Sequence, residues 1–290
     1  MRRSTSSSTH APARRNPDPL AWHHHEGAGV PPRKETAVRT VRLRNVSLGE
    51  GRTKVIVPIT GRTSDELVAQ ASELVRHDLD IVEWRVDFLD VAPNVEQVVA
   101  AGRRVVEALD GTPVLFTFRT ADEGGEKAIT PADYVQLNLG VIESGLVDAV
   151  DVEQFFDAEA GDAILAAAHA AGVPVVGSNH DFQATPPADE IVARLVAMQD
   201  RGMDVAKMAV MPTDAGDLLR LLEATWTMAS RHDKTPVITM SMAGLGVVSR
   251  MAAQVFGSSA TFAMVGRASA PGQVPVEELQ PILRLIAENC

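Results

Sequence analysis

The sequence predicts an α/β protein folded as a (β/α)8 barrel, with a short N-terminal β-segment closing the bottom of the barrel. Three observations carry that expectation. From Val55 onward, Val/Ile-rich runs alternate with helical stretches through eight successive strand–helix units, the signature of a barrel. The runs are short, apolar and bounded by turn signals, as strands buried in a parallel sheet are. The competing architecture, an open doubly wound sheet, needs a glycine-rich phosphate turn after its first strand. Gly61-Arg62-Thr63 lacks that glycine spacing.

Residues 1–37 mix Ser, Thr, Pro, Arg and His without hydrophobic periodicity, and are expected to form a disordered tail ahead of a catalytic barrel over residues 38–290. His23-His24-His25 in that segment are not expected to form a metal site, since consecutive histidines in a disordered tail lack a scaffold to position them. Val38 to Val46 alternates as a strand does, and Leu48-Gly49-Glu50-Gly51 supplies a turn. Val55–Ile59 is the first barrel strand, and Ser64 caps a helix running to about His77. Strands follow at Ile81–Val86, Pro113–Arg119 and Val147–Glu153, separated by helices at Val95–Leu109 and Pro131–Ser144. Pro131 suits a first-turn position behind Thr130. Gly172 closes a helix over Ala158–Ala171. The chain continues with strand Val173–His180, helix Ala188–Asp200, strand Val205–Met211 and helix Ala215–Arg231. Strand Pro236–Met242, a helix around Ser249–Phe256, strand Thr261–Val265 and helix Val276–Ala287 complete the set.

Composition bounds the function. The chain has 290 residues, 45% of them hydrophobic, and a formal net charge of −11. Residues 1–45 carry nine Arg/Lys against three Asp/Glu, a net of +6, which leaves −17 for the remainder. An acidic folded part argues against a nucleic-acid partner. Cys290 is the only cysteine, so no intramolecular disulfide forms, consistent with a reducing cytoplasm. No apolar run is long enough for a membrane span, and the N-terminus shows neither a secretory h-region nor the amphipathic stretch of a transit peptide.

In a barrel the chemistry lies at the C-terminal ends of the strands and in the loops after them. Polar residues that interrupt apolar strands are therefore the candidates. In Ile81-Val82-Glu83-Trp84-Arg85-Val86-Asp87 the period of two puts Glu83 and Arg85 on one face and Trp84 on the other. An acid and a base on the inner face make either a buried ion pair or a pair of substrate ligands. Arg119 ends its strand, and Glu123-Gly124-Gly125-Glu126 follows in a loop whose glycines permit close approach to a ligand. Ser178-Asn179-His180-Asp181 places an imidazole at the barrel mouth. On the next strand Lys207 interrupts Val205-Ala206-Lys207-Met208-Ala209-Val210. A buried ammonium is costly unless paired or neutralised, so Lys207 is either an ion-pairing lysine or a desolvated amine able to attack a carbonyl. Arg250, in Ser241–Arg250 after strand seven, suits a bidentate grip on a carboxylate. Ser269-Ala270-Pro271-Gly272-Gln273, after strand eight, reads as a lid or a flexible connector.

Taken together these segments resemble the type I 3-dehydroquinate dehydratases. The matching pieces are Glu83-Trp84-Arg85-Val86-Asp87, Phe116-Thr117-Phe118-Arg119 with Glu123-Gly124-Gly125-Glu126, Ser178-Asn179-His180-Asp181-Phe182, Lys207–Pro212, Ser241-Met242 through Ser249-Arg250, Phe256-Gly257-Ser258 and Ser269–Gln273. They occur in order over roughly residues 40–288. The resemblance implies a (β/α)8 homodimer that uses no metal or organic cofactor and dehydrates 3-dehydroquinate to 3-dehydroshikimate in the shikimate pathway. It makes Lys207 the Schiff-base lysine, His180 the general acid/base, and Glu123 the carboxylate that orients His180. Arg250 would bind the substrate carboxylate, while Glu83, Arg85, Arg119, Ser269 and Gln273 would hydrogen-bond hydroxyls and close the site. One departure is Pro58, which stands where some members carry a serine and can donate no hydrogen bond from the first strand. Two rivals remain at this level. A class I aldolase would use the same lysine chemistry on the same fold, and a barrel kept as a binding module would use none.

Overall fold

The computed structural model describes residues 39–266 and 268–289 together with Met1. The expectations for residues 1–37, for His23-His24-His25, for Val38 and for Cys290 lie outside the described residues.

Alternation sets the architecture. β1 (Val41–Leu43) and β2 (Val46–Leu48) pair antiparallel, with Val41 opposite Leu48 and Leu43 opposite Val46. The reversal falls at Arg44-Asn45, with Arg44 at φ 53°, inside the stretch expected to be one strand; Gly49 and Gly51 then turn the chain a second time. A two-residue loop keeps Val41, Leu43, Val46 and Leu48 on one face. An isolated hairpin is marginal in water, and this one is held by what that face covers. It packs on Ile56, Ile81, Leu115, Ala149, Val176, Val205, Ile238 and Ala260, the inward residues at the N-terminal ends of the barrel strands.

Eight parallel strands form the barrel: β3 (Lys54–Ile59), β4 (Ile81–Arg85), β5 (Val114–Thr117), β6 (Ala149–Glu153), β7 (Val175–Asp181), β8 (Val205–Val210), β9 (Val237–Ser241) and β10 (Ala260–Met264). The ladder runs from β10 through β3 to β9, and the β9–β10 seam closes through one bridge, Val237 to Ser258, with Ser259 N–H donating to Val237 O at 2.8 Å. Ser258 Oγ accepts from Thr239 N at 3.0 Å and reinforces that seam. A two-residue strand absent from the sequence reading, β11 (Val274–Pro275), adds parallel to β10.

Around the strands lie α1 (Ser64–Leu74), α2 (Val95–Ala108), α3 (Pro131–Glu143), α4 (Ala158–Ala170), α5 (Ala188–Arg201), α6 (Ala215–Arg231), α7 (Val247–Met251), α8 (Ala253–Phe256) and α9 (Val276–Ala287). Side-chain caps start five of them: Thr63, Asn94, Thr130, Asp157 and Asp214 each accept a first-turn N–H. The α1 cap is thus Thr63 and not Ser64, because Thr63 holds extended backbone while Ser64 is already helical. The single helix expected over 249–256 is two short ones broken at Ala252. Outward strand residues such as Val57, Trp84, Phe116, Val152 and Met208 form the core beneath the helices. Trp84 meets Phe116 edge-on at 5.7 Å, and a Cβ on Gly102 of α2 would lie 2.8 Å from the Trp84 ring. Glycine there lets α2 close onto the sheet. No helix among the described residues is long and apolar enough to cross a membrane.

Candidate active site

Above the apolar floor the inward positions change character. Moving two residues along each strand replaces Ile81 by Glu83, Leu115 by Thr117, Ala149 by Asp151, Val176 by Ser178 and Val205 by Lys207. Register aligns them: Thr117 lies opposite Asp151, and Ser178 opposite Lys207. All five are buried. Buried charges persist only where partners satisfy them, and here each partner can be named. Lys207 Nζ donates to Asp151 Oδ2 at 3.0 Å and to Glu83 Oε1 at 3.4 Å, and sits 4.8 Å from the Phe262 ring centre. Thr117 Oγ1 donates to Glu83 Oε1 at 3.1 Å.

Arg119, just past β5, is the hub. Its Nη2 donates to Asp151 Oδ1 at 2.8 Å, and its Nη1 to Glu153 Oε1 at 2.8 Å and Ser178 Oγ at 2.9 Å. Burial disfavours its charge, but Asp151, Glu153 and Glu123 together hold its pKa well above the ordinary arginine value. Arg85 and Glu83 share a face without pairing to each other. Arg85 grips Asp87 bidentately at 2.8 and 2.7 Å, and Asp87 also accepts the backbone N–H groups of Arg119 and Glu126. The loop after β4 is thereby tied to the loop after β5.

That second loop carries Glu123 to the mouth. Its Oε2 accepts from His180 N at 2.9 Å and lies 2.9 Å from His180 Nδ1, while Oε1 accepts from Asn179 Nδ2 at 3.1 Å. Burial, opposed by Arg119, raises the Glu123 pKa to about 7. Burial first, and then the charges of Arg119, Lys207 and Arg85, push the His180 imidazole well below its ordinary value. His180 is therefore neutral at neutral pH, with one ring nitrogen held by a carboxylate. Gly124 lines the cavity at the mouth beside Glu123, and both glycines are also needed for the fold of the loop itself. A Cβ on Gly124 would strike the Phe182 ring at 2.4 Å, and one on Gly125 the Arg119 carbonyl oxygen at 1.9 Å. These glycines let the loop close on the protein's own side chains and backbone.

Arg250 is the exception to pairing. It is 1% exposed, yet no carboxylate among the described residues pairs with it. Among the described residues its guanidinium reaches only Phe262 O at 3.3 Å, Pro271 O at 3.4 Å and Met240 Sδ at 3.8 Å, and its Nε has no partner there. Burial lowers its pKa to about 10, which leaves it charged at neutral pH. Ser269 and Gln273 hold each other across the loop after β10: Ser269 N donates to Gln273 Oε1 at 2.9 Å, and Gln273 Nε2 to Ser269 Oγ at 3.0 Å.

One pocket, open to solvent at the C-terminal mouth, is lined by all nine residues singled out from the sequence: Glu83, Arg85, Arg119, Glu123, His180, Lys207, Arg250, Ser269 and Gln273. Ala209, Met240, Met242, Phe182 and Phe262 supply apolar wall. Pro58 is buried opposite Glu83 and does not line it. The sequence reading missed Asp87, Thr117, Asp151, Glu153, Ser178 and Asn179. The signal for two of them was present, since Asp151-Val152-Glu153 repeats the alternation of Glu83-Trp84-Arg85.

Fold and site together define a (β/α)8-barrel enzyme with its ionisable groups gathered at the C-terminal mouth. Residues 55–290 match the family model described as type I 3-dehydroquinase. The chain is 47% identical over 251 residues to the 3-dehydroquinate dehydratase of Bacillus licheniformis, covering 87% of this chain and 99% of that protein. It is 49% identical to the one from Lactiplantibacillus plantarum, covering 86% of this chain and 98% of that protein. A type I 3-dehydroquinate dehydratase from Clostridium difficile, solved with covalently modified comenic acid, superposes with a TM-score of 0.84 at 43% identity, over 87% of this chain and 99% of that one. The chain belongs to the type I 3-dehydroquinase family, whose reaction removes water from 3-dehydroquinate to give 3-dehydroshikimate. The aldolase and binding-module readings give way to that assignment.

Proposed function

We propose that the dehydration proceeds through an imine between Lys207 and the C3 ketone, with His180 moving the protons. The observation that supports this is the meeting of a buried lysine and a neutral, carboxylate-held imidazole on adjacent strands of one cavity wall. Removing a C2 proton beside a free ketone would leave an enolate; beside an iminium it leaves a neutral enamine. His180 takes that proton on its unheld nitrogen. The enamine nitrogen then pushes its electron pair back through C3 and C2, the C1–O bond breaks, and His180 returns the proton to the leaving hydroxyl as water. Hydrolysis of the conjugated iminium frees the product and Lys207. Reaction with 3-dehydroquinate and borohydride should leave one reduced ligand per chain while enone absorbance stops growing. Persistent enone formation with an unchanged protein mass would refute the imine.

The uncompensated Arg250 is assigned to the substrate carboxylate, and Glu83, Arg85, Arg119, Ser269 and Gln273 to its hydroxyls. Arg250→Ala should weaken substrate binding by about 2–5 kcal/mol, the cost of leaving a buried charge without its partner. An unchanged KM would place the carboxylate elsewhere.

Residues 38–290 are proposed as the catalytic domain and residues 1–37 as dispensable for turnover, since the family match begins at residue 55. Deleting the segment should leave kcat and Tm almost unchanged. The protein is proposed to act in the cytoplasm as a homodimer. The exposed apolar residues Leu219, Trp226, Leu245, Val248 and Val255, from α6, α8 and the segment between them, offer surface for a second copy. Light scattering that reports one chain would reject the dimer.

A further inference from the structure

We infer that Asp151 is a catalytic residue, the counter-ion that keeps the imine nitrogen of Lys207 protonated. The inference rests on the imine reading above and adds the group that makes the imine an electron sink. Two carboxylates touch Lys207 Nζ, and their surroundings divide the work between them. Glu83 lines the cavity, accepts Thr117 Oγ1 on the same oxygen that faces Nζ, and stands 3.4 Å away. Asp151 is fully buried, does not line the cavity, and stands 3.0 Å away. Its Oδ1 is held by Arg119 at 2.8 Å and Ser178 at 2.6 Å, which leaves Oδ2 to the lysine alone among the hydrogen bonds of the described residues. Substrate can therefore engage Glu83 without disturbing the contact between Asp151 and the nitrogen.

Charge conservation shows what this contact does. The ammonium carries one positive charge; when its nitrogen joins the ketone carbon and the ketone oxygen leaves with two nitrogen-bound protons as water, the protonated imine carries one positive charge again. Asp151 faces a cation before and after. Burial works against its own charge, but Arg119 and Lys207 hold its carboxyl below the ordinary carboxylate value. It is accordingly a standing anion and not a proton carrier. When the nitrogen becomes neutral as the enamine forms, Arg119 remains on Asp151, so the anion is never left alone in the barrel. The other groups facing Nζ are Glu83 from β4, His180 from β7 on the same mouth, and the Phe262 ring from β10.

The test uses full-length protein, 3-dehydroshikimate and cyanoborohydride, which reduces protonated imines, with the adduct on Lys207 measured by peptide mass from about pH 6 to about pH 9. Wild type should label evenly across that range. In Asp151→Asn, which preserves shape, the pH at which labelling halves should move down by about 1–3 pH units, because an opposite charge beside the nitrogen has been removed. Its kcat should fall together with labelling, and lowering the pH should restore both in part. Wild-type-like labelling and kcat in Asp151→Asn would overturn the assignment while leaving the imine intact. Absence of any adduct in wild type, with Lys207→Ala as the blank, would overturn the imine and this inference with it. Should Asp151→Asn fail to fold, wild type labelled with 15N-lysine decides: the product complex should keep its protonated-imine resonance to about pH 9. Loss of that resonance near neutrality would overturn the counter-ion.

Discussion

Lys207→Ala should lose turnover of 3-dehydroquinate by about 10⁴-fold or more, the scale seen when a covalent nucleophile is removed. It should also take up no label when reduced with borohydride in the presence of substrate or product. The expectation follows from position. Among the described lysines, Lys207 alone lines the cavity. Lys54 Nζ is bound to the carbonyls of Glu50 and Arg52 at the N-terminal end of β3. Lys127 Nζ is bound to the carbonyl of Leu89 at 2.6 Å, and Lys234 pairs with Asp200 on the surface. None of them reaches the mouth. The alanine variant should still fold, because Asp151 keeps Arg119 and Glu83 keeps Thr117 when the ammonium is gone. A reduced adduct on Lys54, Lys127 or Lys234, or full activity in the variant, would sink the assignment.

His180→Ala should separate the two halves of the chemistry. Removing a general acid/base costs about 10²–10⁴-fold in turnover, yet the amine of Lys207 is untouched, so imine should still form and accumulate. Intact mass after reduction should then show more trapped ligand than wild type at the same time point. Normal dehydration in this variant would move the proton transfers to another group. The pH dependence has a definite sign. The folded pKa of His180 lies well below 6.5, so the folded state binds fewer protons than the unfolded one there, and stability is lost as pH falls below 6.5. Glu123 rises from 4.5 to about 7, so it contributes stability that is lost as pH climbs through that window. The two slopes have opposite signs below 6.5, so in wild type each offsets the other. Deleting the imidazole removes one slope only, and denaturant titrations of the variant should then lose stability with rising pH.

Much of this was legible in the sequence because a barrel strand is a stringent reporter. Its inward and outward residues alternate, so Glu83, Arg85 and Lys207 stood out against apolar neighbours. Residues outside the strands, such as Glu123, Arg250, Ser269 and Gln273, carry no such periodic mark, and for them the resemblance to a family supplied what spacing could not. Asp151 and Glu153 escaped notice at the end of their strand, where acids ordinarily meet solvent; only the register with Arg119 and Lys207 shows them buried and paired. Asp87 escaped for a different reason. Its work is to accept backbone N–H groups from a loop 32 and 39 residues away, and no local pattern encodes that. The turn at Arg44-Asn45 was displaced because its left-handed residue is Arg44, a type that seldom takes positive φ, while Gly49 and Gly51 nearby signal a turn openly.

The β1–β2 hairpin has a kinetic consequence. With Val41, Leu43, Val46 and Leu48 set against the strand ends, the barrel is a vessel with a stopper at one end. Substrate, product, the water lost in dehydration and the water spent in hydrolysis all travel through the other. Entry and exit therefore exclude each other, and a chain still holding 3-dehydroshikimate has no vacancy for its next substrate. Product should behave as a strictly competitive inhibitor, raising KM in proportion to its concentration and leaving the limiting rate where it was.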